Sequence, residues 1–411
     1  MYISEIRVKN YLVHADTSVD LLPLVVLVGP NGGGKSALFD AMLNFSMLAR
    51  GSLRQAFGPY PFSFHGTLHR GASSVARIGY RMTFKRRRED EEALYYEIDY
   101  SQTGQADSPS AFTIHKERLI KQPEEEMLFE RSEPDASLLG RTLPLEADRS
   151  VFAAMRRAQI TGSKPDVDEL LSYCTQQISR FNKFRLDPYV LSQASRLPDV
   201  SDESELHSRL PRLGYHGEDL AATLYYLSET EHPAIEAIRG KLKEFDDTID
   251  GFDFTMLGTD RVGFSVVYSD CRGTVPAVRL SAGVLILIGL LVLVLSPNRP
   301  SIMMVEEPEN GLTPQAVKLF YGEVRDLALS ENPESRSQVL ISSHSPFVIC
   351  EAWNGEDRDF IFQAKVEQGK ALVRSFSDVI SEHSIQLSKE SGERKHLGLR
   401  TAELVMSGYM S

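Results

Sequence analysis

The first 28 residues alternate apolar and polar positions as strands do: Ile3–Val8 alternates, and a turn near His14-Ala15-Asp16 leads to a second short strand. Leu24–Val28 (LVVLV) is a continuous apolar run, the pattern of a strand covered on both faces. Gly29–Gly34 breaks it, and a helical period follows over Lys35–Leu48. Residues 76–118 alternate again and predict a β-meander with strands at Ala76–Phe84 and Ala93–Tyr100. Residues 119–146 are polar and acidic and read as a loop or mobile arm. Helical periods then run over Val151–Ala158, Val167–Phe181, Asp219–Leu227 and His232–Phe245, while 186–216, rich in Pro, Ser and Asp, reads as irregular. After Gly251, strands are expected at Phe252–Leu257, Val262–Tyr268, Ala277–Leu280, Ile302–Glu306, Gln338–Ser342, Phe360–Gln363 and Ala371–Ser375, with a helix after Pro314. Strands and helices alternate at both ends of the chain, and helices fill its middle. This predicts an α/β lobe split in sequence, 1–118 and 252–411, that carries an antiparallel β-meander and a mainly helical insertion at 119–251. No repeat of solenoid period is present.

The most apolar stretch is Ala282–Leu295, AGVLILIGLLVLVL. Its 14 uncharged residues fall short of the roughly 18–20 that a bilayer demands, so it is expected as a buried core helix rather than a membrane insertion. A chain of 411 residues with 42% apolar composition can bury its own core without disulfide or metal support. Three widely spaced cysteines, Cys174, Cys271 and Cys350, show no ligand spacing and suit a reducing compartment. The opening MYISEIRVKNYLV carries charge where an export signal needs an apolar run, and a cytoplasmic protein is expected. The net charge of −12 excludes nucleic-acid binding by overall charge and leaves only local basic patches. One is Lys85-Arg86-Arg87-Arg88, which Glu89-Asp90-Glu91-Glu92 follows directly; it reads either as a self-neutralising hairpin tip or as a contact for a phosphate backbone.

Four short segments carry chemistry. Gly29-Pro30-Asn31-Gly32-Gly33-Gly34-Lys35-Ser36 fits G-x-x-x-x-G-K-[ST] between a strand and a helix. In that setting the amides from Asn31, Gly32, Gly33 and Gly34 to Ala37 face a nucleotide's phosphates, Lys35 bridges the β- and γ-phosphates, and Ser36 ligates Mg²⁺. Ile302–Val305 delivers Glu306 and Glu307 from the end of an apolar strand. Glu306 is the expected Mg²⁺ ligand and Glu307 the expected general base. Ser281-Ala282-Gly283 lies just ahead of the apolar helix, with Ser281 25 residues before Glu306. His344 follows the short strand Gln338–Ser342.

Together these residues resemble the ABC-type ATPases of the SMC/RecF/OLD group, and more closely its stand-alone AAA-family or RecF-like members. The loop and acidic strand are then the Walker A and Walker B motifs of a P-loop NTPase head. Leu280-Ser281-Ala282-Gly283 resembles the signature that grips the γ-phosphate held by an opposite subunit, and His344 the switch histidine. Glu306-Glu307-Pro308-Glu309-Asn310-Gly311-Leu312 is similar to the group's Walker B and following loop. Phe184-Arg185-Leu186-Asp187-Pro188 and Leu213-Gly214-Tyr215-His216-Gly217-Glu218-Asp219-Leu220-Ala221 resemble its middle segments, so the likeness runs from residue 1 to about 376. Thr313 stands where the group often has histidine, and LSAGVLILI departs from its usual signature; Gln102 and Gln105 fall in the region of its Q-loop without a matching context.

The resemblance implies an ATP-dependent homodimer completed by Ser281 and Gly283 of the opposite subunit. It also implies a nucleotide-driven switch in DNA repair or anti-phage defence that controls a separate nuclease or toxin effector, because only about 35 residues follow the last expected strand. DNA contacts through Lys85–Arg88, or through Arg156, Arg157, Lys183 and Arg185, compete with a reading of those charges as solvated surface. Two other functions compete. A transporter's nucleotide-binding subunit keeps its loop and signature roughly a hundred residues apart, whereas Ser281 here follows Ser36 by 245. A non-hydrolysing ATP sensor would account for the unusual signature.

Overall fold

The computed structural model describes residues 2–57, 63–72, 76–85, 90–102, 112–132, 135–142, 145–158, 165–197, 211–230, 232–332, 336–355, 357–382, 388–390, 394–396 and 402. The chain divides into two compact units. One comprises Met1–Phe181, Arg358–Gln386 and Leu404–Ser411, the other Asn182–Asp357 and Leu387–Glu403. The main divisions thus fall after Phe181 and after Asp357 rather than at the expected 118 and 251.

The first unit holds an eight-stranded antiparallel sheet in the order His14–Asp20, Tyr2–Tyr11, Ile78–Lys85, Ala93–Gln102, Phe112–Gln122, Glu126–Ser132, Asp135–Leu138 and Arg141–Thr142. The last strands correct the expectation of an arm at 119–146. Their polar residues line a sheet face: Arg118 pairs with Glu130 at 2.9 Å, while Leu119, Leu128, Phe129 and Leu138 are buried. An antiparallel sheet with one solvated face carries as much charge as a loop does. The helix Lys35–Arg50 buries Leu38, Phe39, Met42 and Phe45. Phe45 lies 5.6 Å, ring centroid to centroid, from both Tyr80 and Tyr96. Asn44 Oδ1 accepts from the Tyr80 and Tyr100 hydroxyls at 3.3 Å each, which satisfies two phenols inside an aromatic core.

Leu24–Val28 is buried at every position and pairs in parallel with Ile361–Glu367, Val26 opposite Ile361. Ile361–Glu367 turns back on Lys370–Ser375 through Gln368 and Gly369, both at positive φ (49° and 78°), as a tight two-residue hairpin turn demands.

In the second unit Ile302–Glu306 runs parallel to Gln338–Ser343, Glu306 opposite Ser342, and Phe181–Phe184 is its other neighbour. A second, antiparallel sheet joins Ser195–Arg196, Arg261–Tyr268, Ile249–Leu257 and Thr274–Pro276. The expected strand at Ala277–Leu280 is instead a single 3₁₀ turn, Ala277–Arg279. Ala282–Leu295 is a helix with ten consecutive buried positions, Leu285–Val294. Burial of each such Leu, Ile or Val contributes about 1.5–3 kcal/mol, enough to anchor it as core. Among the described residues no helix is long and apolar enough to cross a membrane.

Candidate functional site

In the first unit the strand ends at Val28 and a helix begins at Lys35, so residues 29–34 form the turn between them. The Gly33 N–H donates to the Pro30 carbonyl at 3.0 Å and closes a turn. Gly34, at φ 96°, is the helix N-cap and has no side chain to accept from the first helical N–H groups. A helix start without a side-chain cap carries partial positive charge and suits an anion. The loop also lies hard against the hairpin at 361–375. A Cβ on Gly29 would overlap the Ala364 carbonyl oxygen, and one on Gly33 would stand 2.6 Å from it. That obstacle is backbone, so no rotamer relieves it. Lys35 is buried, and its ammonium donates to the Gly29 and Pro30 carbonyls at 2.7 and 3.0 Å. Asn31, Gly32 and Ser36 are exposed, and Ala37 is half-buried.

One residue of this loop's support has no signal in the sequence. His14 is fully buried, with Nε2 3.1 Å from the Gly34 carbonyl and Nδ1 3.1 Å from Thr17 Oγ1. Thr17 donates to the Ala371 carbonyl at 3.0 Å. Burial lowers the His14 pKa to about 4 against the weaker opposing pull of the Gly34 carbonyl, so the ring is neutral at neutral pH.

In the second unit the strand Ile302–Glu306 ends in the two expected glutamates. Glu306 is buried; its Oε2 accepts from Lys183 at 3.1 Å and from the Tyr215 hydroxyl at 3.0 Å. Its Oε1 is buried with no hydrogen-bond partner among the described residues. Glu307 takes a left-handed backbone, φ 47°, with its N–H on the Ser342 carbonyl at 2.8 Å. Its Oε2 accepts from Arg185 at 3.1 Å and Asn310 at 3.0 Å, and its Oε1 faces His344 Nδ1 at 3.5 Å. Glu309 Oε1 accepts from the Ser343 hydroxyl (2.8 Å) and the His344 N–H (3.1 Å), tying the two strand ends together. Lys183 is therefore a buried ion-pair partner, neither a solvated surface charge nor a DNA contact. Arg185 is likewise engaged with Glu307, Arg156 is exposed, and the Arg157 side chain, Gln105 and Arg86–Glu89 lie outside the described residues.

Ser281 caps the apolar helix, its Oγ accepting from the Val284 N–H at 3.4 Å, and is exposed. A Cβ on Gly283 would stand 2.7 Å from the Gly311 carbonyl, so close packing on the loop after Glu307 also requires glycine there. The structure thus gathers Asn31–Ala37 in one unit and Glu306, Glu307 and His344 in the other. The residues fit Mg²⁺ and a nucleotide: a buried carboxylate oxygen without a partner calls for a cation or water, and a helix start without a side-chain cap calls for a phosphate.

A family model described as "AAA domain, putative AbiEii toxin, Type IV TA system" matches residues 24–350. No curated protein matches the chain. Among solved structures, an Smc head bound to the C-winged-helix domain of ScpA is 12% identical with a TM-score of 0.50, covering 92% of this chain and 99% of that one. The SMC head domain of Thermotoga maritima is 12% identical with a TM-score of 0.43, covering 91% and 99%.

Proposed function

Because the chain belongs to this AAA-domain family, and has the P-loop NTPase fold of SMC heads, we propose that it binds and hydrolyses Mg-ATP as a nucleotide-driven dimer switch. The supporting observation is the loop at 29–36: a helix start without a side-chain cap, a buried lysine folded across it, and glycines held against backbone. On binding, Lys35 exchanges the Gly29 and Pro30 carbonyls for β- and γ-phosphate oxygens, and the loop amides through Ala37 receive the β-phosphate. Ser36 and Glu306 are the residues that would hold Mg²⁺, and the ion would supply positive charge to the phosphate oxygens. Glu307 takes a proton from the attacking water as its oxygen bonds to the γ-phosphorus and the bridging bond to ADP breaks. His344, beside Glu307, contacts the γ-phosphate.

Ser281 and Gly283 complete the site of a second copy, whose closure then depends on ATP and whose opening follows hydrolysis. The family's description points to toxin–antitoxin biology, which favours defence over repair and a separate effector or antitoxin as partner. Equilibrium binding of a fluorescent ATP analogue tests the reading: Lys35→Ala should weaken Mg²⁺-dependent affinity at least tenfold. Glu307→Gln should abolish turnover and accumulate an ATP-bound dimer in light scattering. Unchanged affinity in Lys35→Ala would sink the proposal, unchanged turnover in Glu307→Gln would remove Glu307 as the base, and absence of turnover in the wild type would make the chain an ATP sensor.

A further inference from the structure

Two middle segments, 184–188 and 213–221, have no role in the chemistry above. The structure joins them into one piece. The Arg185 N–H donates to the Tyr215 carbonyl at 2.8 Å, the Asp187 N–H to the His216 carbonyl at 3.0 Å, and His216 Nδ1 lies 3.1 Å from the Arg185 carbonyl. Behind Tyr215, the Gly214 N–H reaches the Glu218 carbonyl (3.1 Å), and the His216 N–H reaches Glu218 Oε2 (2.9 Å). This clasp begins at the strand Phe181–Phe184, the neighbour of Ile302–Glu306. Lys183 lies in that strand and Arg185 directly follows it.

The consequence is a repeated geometry at consecutive glutamates. Glu306 Oε2 is held by Lys183 and Tyr215, and its Oε1 is left buried and unpartnered. Glu307 Oε2 is held by Arg185 and Asn310, and its Oε1 is turned to His344. In each carboxylate one oxygen is fixed and the other presented. A carboxylate free to rotate would offer either oxygen, in many orientations; a fixed one offers a single donor in a single direction.

We propose that the 183–187/213–219 clasp is the positioning element of the acidic pair. Tyr215 and Lys183 aim Glu306 Oε1 at the metal ion, and Arg185 aims Glu307 Oε1 at the attacking water. The inference rests on the proposed ATPase reading and adds three residues to it. None of the three touches the nucleotide; each acts through a glutamate. Tyr215 gives the cleanest variant, because its phenol adds one hydrogen bond and no charge.

The test uses the full chain with Mn²⁺ as the ion and a non-hydrolysable ATP analogue. Free Mn²⁺ is followed by electron paramagnetic resonance. Tyr215→Phe should weaken Mn²⁺ binding to the nucleotide complex roughly tenfold, in the range of loss of a ligand's hydrogen-bond partner. Nucleotide affinity without metal and the thermal midpoint should stay as in the wild type. Arg185→Ala should leave Mn²⁺ affinity unchanged and lower kcat about tenfold at unchanged KM, with partial rescue by Arg185→Lys. Unchanged Mn²⁺ affinity in Tyr215→Phe overturns the inference, and so does a rise in kcat in Arg185→Ala, which would make Arg185 a brake. Failure of the ATPase reading itself is seen separately, as absence of Mn-nucleotide binding by the wild type.

Discussion

His14 shows how much of a glycine loop's integrity is decided by a residue outside it. With the ring fully buried and its pKa lowered to about 4 by that burial, the folded chain refuses a proton that the unfolded chain accepts near pH 6.5. The stability this gives is fully present above pH 6.5 and drains away as pH falls from there towards 4. The span corresponds to roughly 3 kcal/mol. His14→Gln should therefore lose less unfolding free energy than the wild type between pH 7 and pH 4.5, measured by urea titration at both; parallel losses would remove His14 as the cause. Position in the fold was legible where a motif is local: Lys35 and Ser36 open a helix, and Glu306 and Glu307 stand at the end of an apolar strand, as their short motifs predict. His14 and Tyr215 were not legible, since their partners lie 20 and 91 positions away and a lone histidine or tyrosine has no spacing to read. Lys183 misled as a surface charge because composition says nothing of a buried counter-ion.

At the level of elements, period and length identified the helix at 282–295 and the strands at 24–28 and 302–306, because burial on all sides leaves an unbroken apolar run. The same logic failed at 119–146. There the buried set Leu119, Leu128, Phe129 and Leu138 is diluted by outward-facing charges, and the hairpin register pairs them across strands where no local window sees them. The start of the apolar helix yields a sharper expectation. Alanine at Gly283 would gain at most about 1 kcal/mol of helix propensity, while its Cβ would meet the Gly311 carbonyl at 2.7 Å. Overpacking of this kind costs about 1–3 kcal/mol, so Gly283→Ala should lower the denaturant midpoint. Ser281→Ala, which removes only a long 3.4 Å cap, should cost less than about 1 kcal/mol. A Gly283→Ala protein as stable as the wild type would show that the loop at 311 yields.

For the molecule as a whole, each unit is assembled from segments far apart in sequence. The glycine loop of the first unit is backed by Ala364 and Ala371, and Leu24–Val28 has Ile361–Glu367 as its parallel neighbour. A chain ended at Asp357 keeps every nucleotide motif yet lacks that backing. It should lose ATP-analogue binding at least tenfold, and retention of wild-type affinity would show that the loop holds its shape alone. Strand–helix alternation at both ends of the sequence signals that distant segments come together, as Leu24–Val28 and Ile361–Glu367 do. The position of the division was not legible, because Phe181–Phe184 looks the same whichever sheet receives it.

The backing hairpin also changes what the fingerprint of this loop certifies. Gly29 and Gly33 are required by the Ala364 carbonyl, whatever the fate of any phosphate. On the proposed ATPase reading, a descendant that had abandoned catalysis would keep both for the sake of its fold, while the solvent-facing Asn31 and Ser36 drifted. Among kindred chains, decay into an inert scaffold would thus be written first at those two positions and at Glu307, and last in the glycines by which the motif is usually recognised.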